Sequence, residues 1–197
     1  MAAVVVLSNV LVQYPFHARV GRLDLADLLT WGAFSYPLAF LVTDITNRLL
    51  GPQMARRVVY CGFAVAVVLS IWLSTPRIAI ASGTAFLVGQ LIDIGVFNRL
   101  RYRSWWRAPA FSSLIGSSAD TTVFFALAFA PAFVLLGAND PFAAEPAPFL
   151  GLYPWETARW ISWAAGDFSV KLLIAIVALV PYRLIVGWFA PLRPAAT

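Results

Sequence analysis

The chain has 197 residues, 61% of them hydrophobic and 12% charged, with mean hydropathy +0.80 and a formal net charge of +5. Soluble domains carry roughly a quarter charged residues, so a chain with half that share cannot cover its own surface with charge and reads as a membrane protein. The basic excess is almost wholly arginine, which flanks to apolar spans explain better than nucleic acid does; the bilayer is the expected partner.

Met1 to Tyr14 is apolar but short, with Asn9 and Gln13 inside it and neither a basic start nor a small-residue cleavage site. It reads as a first span (1–14) beginning at or near the N-terminus, short enough to suggest a misplaced start codon, and not as a signal peptide. His17 to Asp27 is a polar link, and 28–47 is the second span. Gly51-Pro52 breaks it from the third span, 55–74, and Pro76 breaks that from the fourth, 78–97. The fifth span is 110–136. Gly137 to Glu156 holds Pro141, Pro146, Pro148 and Pro154 and reads as a loop or surface-lying segment, and 157–189 holds the sixth span and a short tail. The expectation is an all-α, polytopic membrane protein of six transmembrane helices forming one domain over 1–197. One histidine, His17, and one cysteine, Cys61, leave no metal cluster and no intrachain disulfide, and no cofactor is implied.

Six spans put both termini on one side. That side receives Arg48, Arg56, Arg57, Arg99, Arg101, Arg103, Arg107, Arg183 and Arg193; the other receives Arg19, Arg22, Arg77 and Arg159, with Asp24, Asp27, Asp140, Glu145 and Glu156. Positive residues mark the cytoplasmic side, so both termini are expected there.

Five charged residues fall within spans: Asp44, Asp93, Asp120, Asp167 and Lys171. Each costs at least ~2.5–3.5 kcal/mol at the bilayer centre, so these groups must pair, protonate or line a wet cavity. Asp167 and Lys171 are four apart and can pair within one helix, the acid on the favourable N-terminal side. Ser113, Gly116, Ser117, Asp120 and Thr121 form a polar stripe on span five. On span four, Ser82, Phe86, Gln90, Asp93 and Phe97 make a stripe mixing aromatic and polar groups, with Asn98 just beyond it. On span two, Tyr36, Phe40, Thr43, Asp44 and Asn47 do likewise. Span three has no such stripe and is expected to face lipid. The plainer readings are structural: Asp167–Lys171 tightening the bundle, Ser113 and Ser117 permitting close helix approach, Asn9 hydrogen-bonding between helices, and Tyr36, Phe40 and Phe86 packing. Asp44, Asp93 and Asp120 resist them, because one lysine cannot neutralise so many carboxylates.

Carboxylates and amides bond in fixed planes and aromatic rings offer flat faces, which together suit a flat, polar, heteroaromatic molecule. Protons, metal cations or amines also fit a carboxylate-lined path. Two other classes stand beside a transporter. An intramembrane enzyme would use the aspartates as acid and base, but no serine has a histidine partner and no metal-spaced motif appears. A structural or assembly protein would use the charges for helix association.

A resemblance narrows this. The run Thr43-Asp44-Ile45-Thr46-Asn47-Arg48-Leu49-Leu50-Gly51, then Ala55-Arg56-Arg57, Gly89-Gln90-Leu91-Ile92-Asp93, Val96-Phe97-Asn98-Arg99-Leu100-Arg101, Trp105-Trp106-Arg107-Ala108-Pro109, Ser118-Ala119-Asp120-Thr121 and Asp167-Phe168-Ser169-Val170-Lys171, resembles the queuosine precursor transporter (VUT) family in order and spacing. Arg48, where many members carry glutamate, is similar to the proteobacterial-type branch. The resemblance implies an inner-membrane importer of 7-cyano-7-deazaguanine or a related 7-deazapurine. It also implies a six-helix fold similar to the substrate-binding subunits of energy-coupling-factor vitamin transporters. Asp44, Asn47, Gln90, Asp93, Asn98, Asp120 and Lys171, with Tyr36, Phe40 and Phe86, are then the expected substrate-binding residues. Asn9, Ser113, Ser117 and Asp167 are the expected structural or coupling residues. Oligomeric state and the preferred 7-deazapurine are open on these grounds. The topology has a direct check: a reporter fused at Glu145 should be active outside the cytoplasm, and activity confined to the cytoplasm would reverse the orientation.

Overall fold

The computed structural model describes residues 1–21 and 23–189; the expected flanking roles of Arg22 and Arg193 therefore lie outside the described residues. Its helices are α1 (Ala2–Leu11), α2 (Gly32–Ser35), α3 (Leu38–Leu50), α4 (Pro52–Leu73), α5 (Pro76–Leu100), α6 (Arg107–Phe129), α7 (Pro141–Ala144) and α8 (Arg159–Phe189). Two small antiparallel hairpins sit between them, β1 (Arg19–Val20) with β2 (Leu23–Asp24), and β3 (Pro146–Pro148) with β4 (Glu156–Ala158). Helices α4, α5, α6 and α8 are long and apolar enough to cross a membrane. The chain is an all-α membrane protein.

Proline and glycine set most of the boundaries. Gly51, at φ +87°, ends α3 in a conformation that side chains resist, and Pro52 opens α4. The Thr75 hydroxyl accepts from the Ile78 N–H (3.4 Å) to cap α5, with Pro76 in its first turn. Helix α6 stops at Phe129, short of the expected 136, because Ala130 precedes Pro131 and is pushed to an extended ψ of 136°. Pro131–Leu136 continues as a 3-10 turn. Pro37 likewise divides the expected second span into α2 and α3. The expected sixth span loses its first residues to β4 and then runs unbroken through Pro181 for 31 residues, roughly 46 Å. Helix α1 has ten residues, roughly 15 Å, about half the hydrocarbon core. It packs on α4 through Val5, which is buried, and Met1, which lies over Gly62.

The most extensively packed helix pair is α5 with α6. A Cβ built at Gly89 would stand 2.8 Å from the Asp120 Cβ, and one at Gly116 would stand 3.0 Å from the Gly89 carbonyl oxygen, so the two backbones touch at these glycines. Helix α4 turns Val68, Ile71 and Trp72 outward, an apolar face suited to lipid.

At the end of the bundle that carries the hairpins, the Arg77 guanidinium is buried with no carboxylate partner among the described residues. It donates to the carbonyls of Leu127 (2.9 Å), Ala130 (2.8 Å), Gly137 (3.1 Å) and Ala138 (3.1 Å), and to Asn139 Oδ1 (2.8 Å). These include the Leu127 carbonyl near the C-terminus of α6, which has no helical partner because the residue four positions on is Pro131. Arg77, expected only as a flank, thus clamps the end of α6 to the segment that follows it. Arg77→Ala should destabilise the protein by about 1–3 kcal/mol, since it leaves the Leu127 carbonyl and other part-buried acceptors without their donor, and Arg77→Lys should fail to restore it because a point charge cannot span them. Thermal unfolding of both variants in detergent measures this.

Candidate functional site

A cavity of about 820 Å³ opens between the hairpins and runs down to the middle of the bundle. Its floor is built by three helices. Pro37 ends α2 so that Tyr36 faces inward at this depth, and Asp120 comes from α6 immediately beside the Gly89 contact. Trp163, Asp167 and Lys171 recur every fourth residue of α8 and so share one face.

Lys171 organises the floor. Its Nζ donates to Asp120 Oδ2 at 2.6 Å, to Asp167 Oδ2 at 2.5 Å and to Thr121 Oγ1 at 3.0 Å. Thr121 Oγ1 in turn donates to Asp167 Oδ2 at 2.7 Å. The Tyr36 ring lies 5.9 Å from the ammonium and edge-on to Phe86 at 6.0 Å. The pair expected within α8 is present and has a third member across the bundle. One cation faces two acids, so the ionised set carries a net negative charge. Lys171 takes one oxygen of each acid, and the Oδ1 atoms accept no hydrogen bond among the described residues.

Aromatic rings make the walls. Phe124, Phe125 and Phe129 continue from the Asp120 face of α6, and Phe129 meets Trp163 edge-on at 5.6 Å. The rim joins the first loop region to α8: Trp163 Nε1 donates to the Asp27 carbonyl at 2.9 Å. Asp24 also borders the opening; the Ala26 N–H and then Arg19 hold its carboxyl below the ordinary aspartate range. From α1 come Ser8, which meets the Ser35 hydroxyl at 3.0 Å, and Asn9. Asn9 donates to Val5 of its own helix at 2.9 Å, and not to another helix as expected.

Of the sequence-derived residues, Asn9, Tyr36, Asp120, Asp167 and Lys171 line this cavity. Asp44, Asn47, Gln90, Asp93 and Asn98 do not. They lie further along α3 and α5, because residue spacing gives the face of a helix but not the depth of an opening. Asp44 accepts from Ser112 (3.1 Å) and Ser113 (3.3 Å), and the Thr43 hydroxyl meets Gln90 Oε1 at 2.5 Å. Asn47 Nδ2 reaches the Ile94 carbonyl at 3.5 Å. Phe86 is packed in the core, and Phe40 lies against Gly116. Ser113 and Ser117 border a separate space of about 10 Å³ with Phe40, Asp44, Lys171 and Tyr182. The wall residues Phe124, Phe125, Phe129 and Trp163 were not expected, although Asp120–Phe124 and Trp163–Asp167 share the helical spacing that exposed the polar stripe.

No solved structure matches the chain. Curated relatives do. The chain is 35% identical to the "Queuosine precursor transporter" of Escherichia coli (strain K12) over 199 aligned positions, 90% of this chain and 79% of that protein. It is 34% identical to the "Probable queuosine precursor transporter" of Haemophilus influenzae over 205 positions, with the same coverage, and 24% identical to a protein of that description from Bacillus subtilis (strain 168), over 78% of this chain and 69% of that one. A family model described as "Putative vitamin uptake transporter" matches residues 30–75 and 70–186, a region holding α3, α4, α5, α6 and almost all of α8. The chain belongs to this transporter family.

Proposed function

We propose that the chain imports a queuosine precursor, 7-cyano-7-deazaguanine or a related 7-deazapurine, and that it moves this molecule without altering it. The observation that carries the reading is the cavity floor: two carboxylates share one lysine, and each keeps an oxygen unengaged by the described residues. A guanine-like edge presents adjacent N–H donors to such an oxygen pair, and flanking phenylalanine and tryptophan rings suit its flat face. The volume lies within the range of small-molecule sites, ~300–1,000 Å³. The names of the relatives supply the substrate class.

The membrane in question is the bacterial inner membrane. The hairpin end, richer in acids, faces outward, and the arginine-rich end, where α8 finishes, faces the cytoplasm. Six passes follow if α1 and the broken α2–α3 unit count as the first two. The cavity then opens to the outside, the side from which an importer must load.

Expression in cells that can neither make nor import queuosine precursors should restore queuosine in tRNA when 7-cyano-7-deazaguanine is supplied. No restoration with the protein present in the membrane would defeat the substrate assignment. Asp167→Asn keeps the Lys171–Asp120 pair and removes one acceptor charge. It should raise the KM for uptake about ten-fold or more, the effect of losing a bond to a charged group of ~1.5–3 kcal/mol. Phe124→Ala should also raise KM by removing a stacking face, at ~1–3 kcal/mol per ring. Initial uptake rates against substrate concentration read both.

A further inference from the structure

Below the cavity floor the bundle holds a second acidic pair. Asp44 of α3 and Asp93 of α5 face each other, with exposures of 2% and 0%. Asp44 accepts from Ser112 and Ser113 of α6. Neither oxygen of Asp93 accepts a hydrogen bond from any described residue.

The charged and titratable groups facing this pair are engaged elsewhere. Lys171 of α8 shares the 10 Å³ space with Asp44 but is held by Asp120 and Asp167. Tyr182 of α8, on the other side of that space, accepts from Arg48 Nε at 2.8 Å. Arg48 also donates to the Arg101 carbonyl at 2.6 Å, and Arg101 donates back to the Arg48 carbonyl at 2.8 Å. Helix α4 brings buried Ala55 and Val59, while its Arg56, Arg57, Tyr60 and Cys61 are exposed. Two ionised carboxylates in contact, without a counter-ion, repel strongly in a low-dielectric interior. A single proton bound to one oxygen and hydrogen-bonded to the other acid replaces that repulsion with a short charge-assisted bond.

The pair is also connected. A space of about 10 Å³, about the size of one water, is bordered by Asp44 of the pair and by Lys171 of the cavity floor. Ser117 Oγ borders it, is buried, and has no hydrogen-bond partner among the described residues. Lys171 borders this space and the large cavity alike. On the other side, the reciprocal Arg48–Arg101 clasp joins α3 to the end of α5, the same two helices that carry the acids.

We propose that Asp44 and Asp93 form a proton-binding site that couples substrate import to inward proton flux. The inference rests on the transport reading above. With the proton bound, α3 and α5 are held together and the clasp stays closed. Release of the proton toward the cytoplasm leaves two carboxylates that push α3 and α5 apart and open the clasp at the inner end.

The test uses the purified full chain in liposomes, with sodium omitted, potassium equal on both sides with valinomycin, a lumenal pH dye, and 7-cyano-7-deazaguanine as the probe. An inside-alkaline gradient should drive accumulation of about ten-fold per pH unit, with lumenal acidification that depends on substrate. Asp93→Asn should remove this gradient response and Asp93→Glu restore part of it. Wild-type exchange of labelled substrate without any response to the pH gradient overturns the proposal and leaves the transport reading standing. Accumulation that requires a sodium gradient instead also overturns it. Neither exchange nor uptake overturns both. The wild-type measurement decides the matter even if Asp93→Asn fails to fold.

Discussion

One ammonium group holds the middle of this protein together. Lys171 sits in an apolar bundle where an unpaired charge is costly, and it is bound by carboxylates from two helices. Pulling α8 from α6 would strand a buried charge, a change that typically costs ~3–5 kcal/mol. Helix α8 is apolar on nearly every side, so packing alone would specify its rotation poorly. The ion triad specifies it: with Lys171 fixed, Asp167 and Trp163 must face the cavity, while Leu173, Ile176, Val177 and Val180 are left exposed to lipid. The site and the fold thus draw on the same interaction.

Much of this is legible in the order of the amino acids. The apolar spans, their proline and glycine breaks and the inward stripes all follow from local rules that leave marks in sequence. Asp120, Asp167 and Lys171 stand out because charge inside a span needs a reason. Depth leaves no such mark. Asp44 and Asp120 look equivalent as interior aspartates, yet Asp120 lies at the floor of a large cavity and Asp44 against Ser112 and Ser113 beneath it. What separates them is where helix α2 breaks at Pro37 and where the hairpins hold the far end open, both consequences of chain parts distant in sequence. The role of Arg77 is hidden for a related reason. A flank beside a span suggests topology, and only the fold reveals that the end of α6 comes to it.

The two ends of the bundle are built differently. At the hairpin end, Trp163 is tied to the Asp27 loop by a single hydrogen bond, and the walls are rings in edge contact. Such contacts give way at small cost, as a rim that admits a solute must. At the opposite end Phe97, Ala108, Tyr182 and Val186 form a closed apolar cluster, and the Arg48 guanidinium lies 5.0 Å over the Phe97 ring. That end is sealed by dispersion, cation–π attraction and reciprocal backbone bonds together.

The glycine contact between α5 and α6 limits how the bundle can rearrange. Backbones that touch at Gly89 and Gly116 have no side-chain layer to deform between them. Any slide would drive Asp120 Cβ or Phe40 into main-chain atoms. The two helices therefore act as one plank, with Asp93 and Asp120 fixed on either side of the crossing. What leans on that plank is α3, which begins after Pro37, and α8, long enough to protrude from the core at both faces. The smallest side chains in the bundle thus make its most rigid seam, and any change in the shape of the cavity has to come from the helices packed around it.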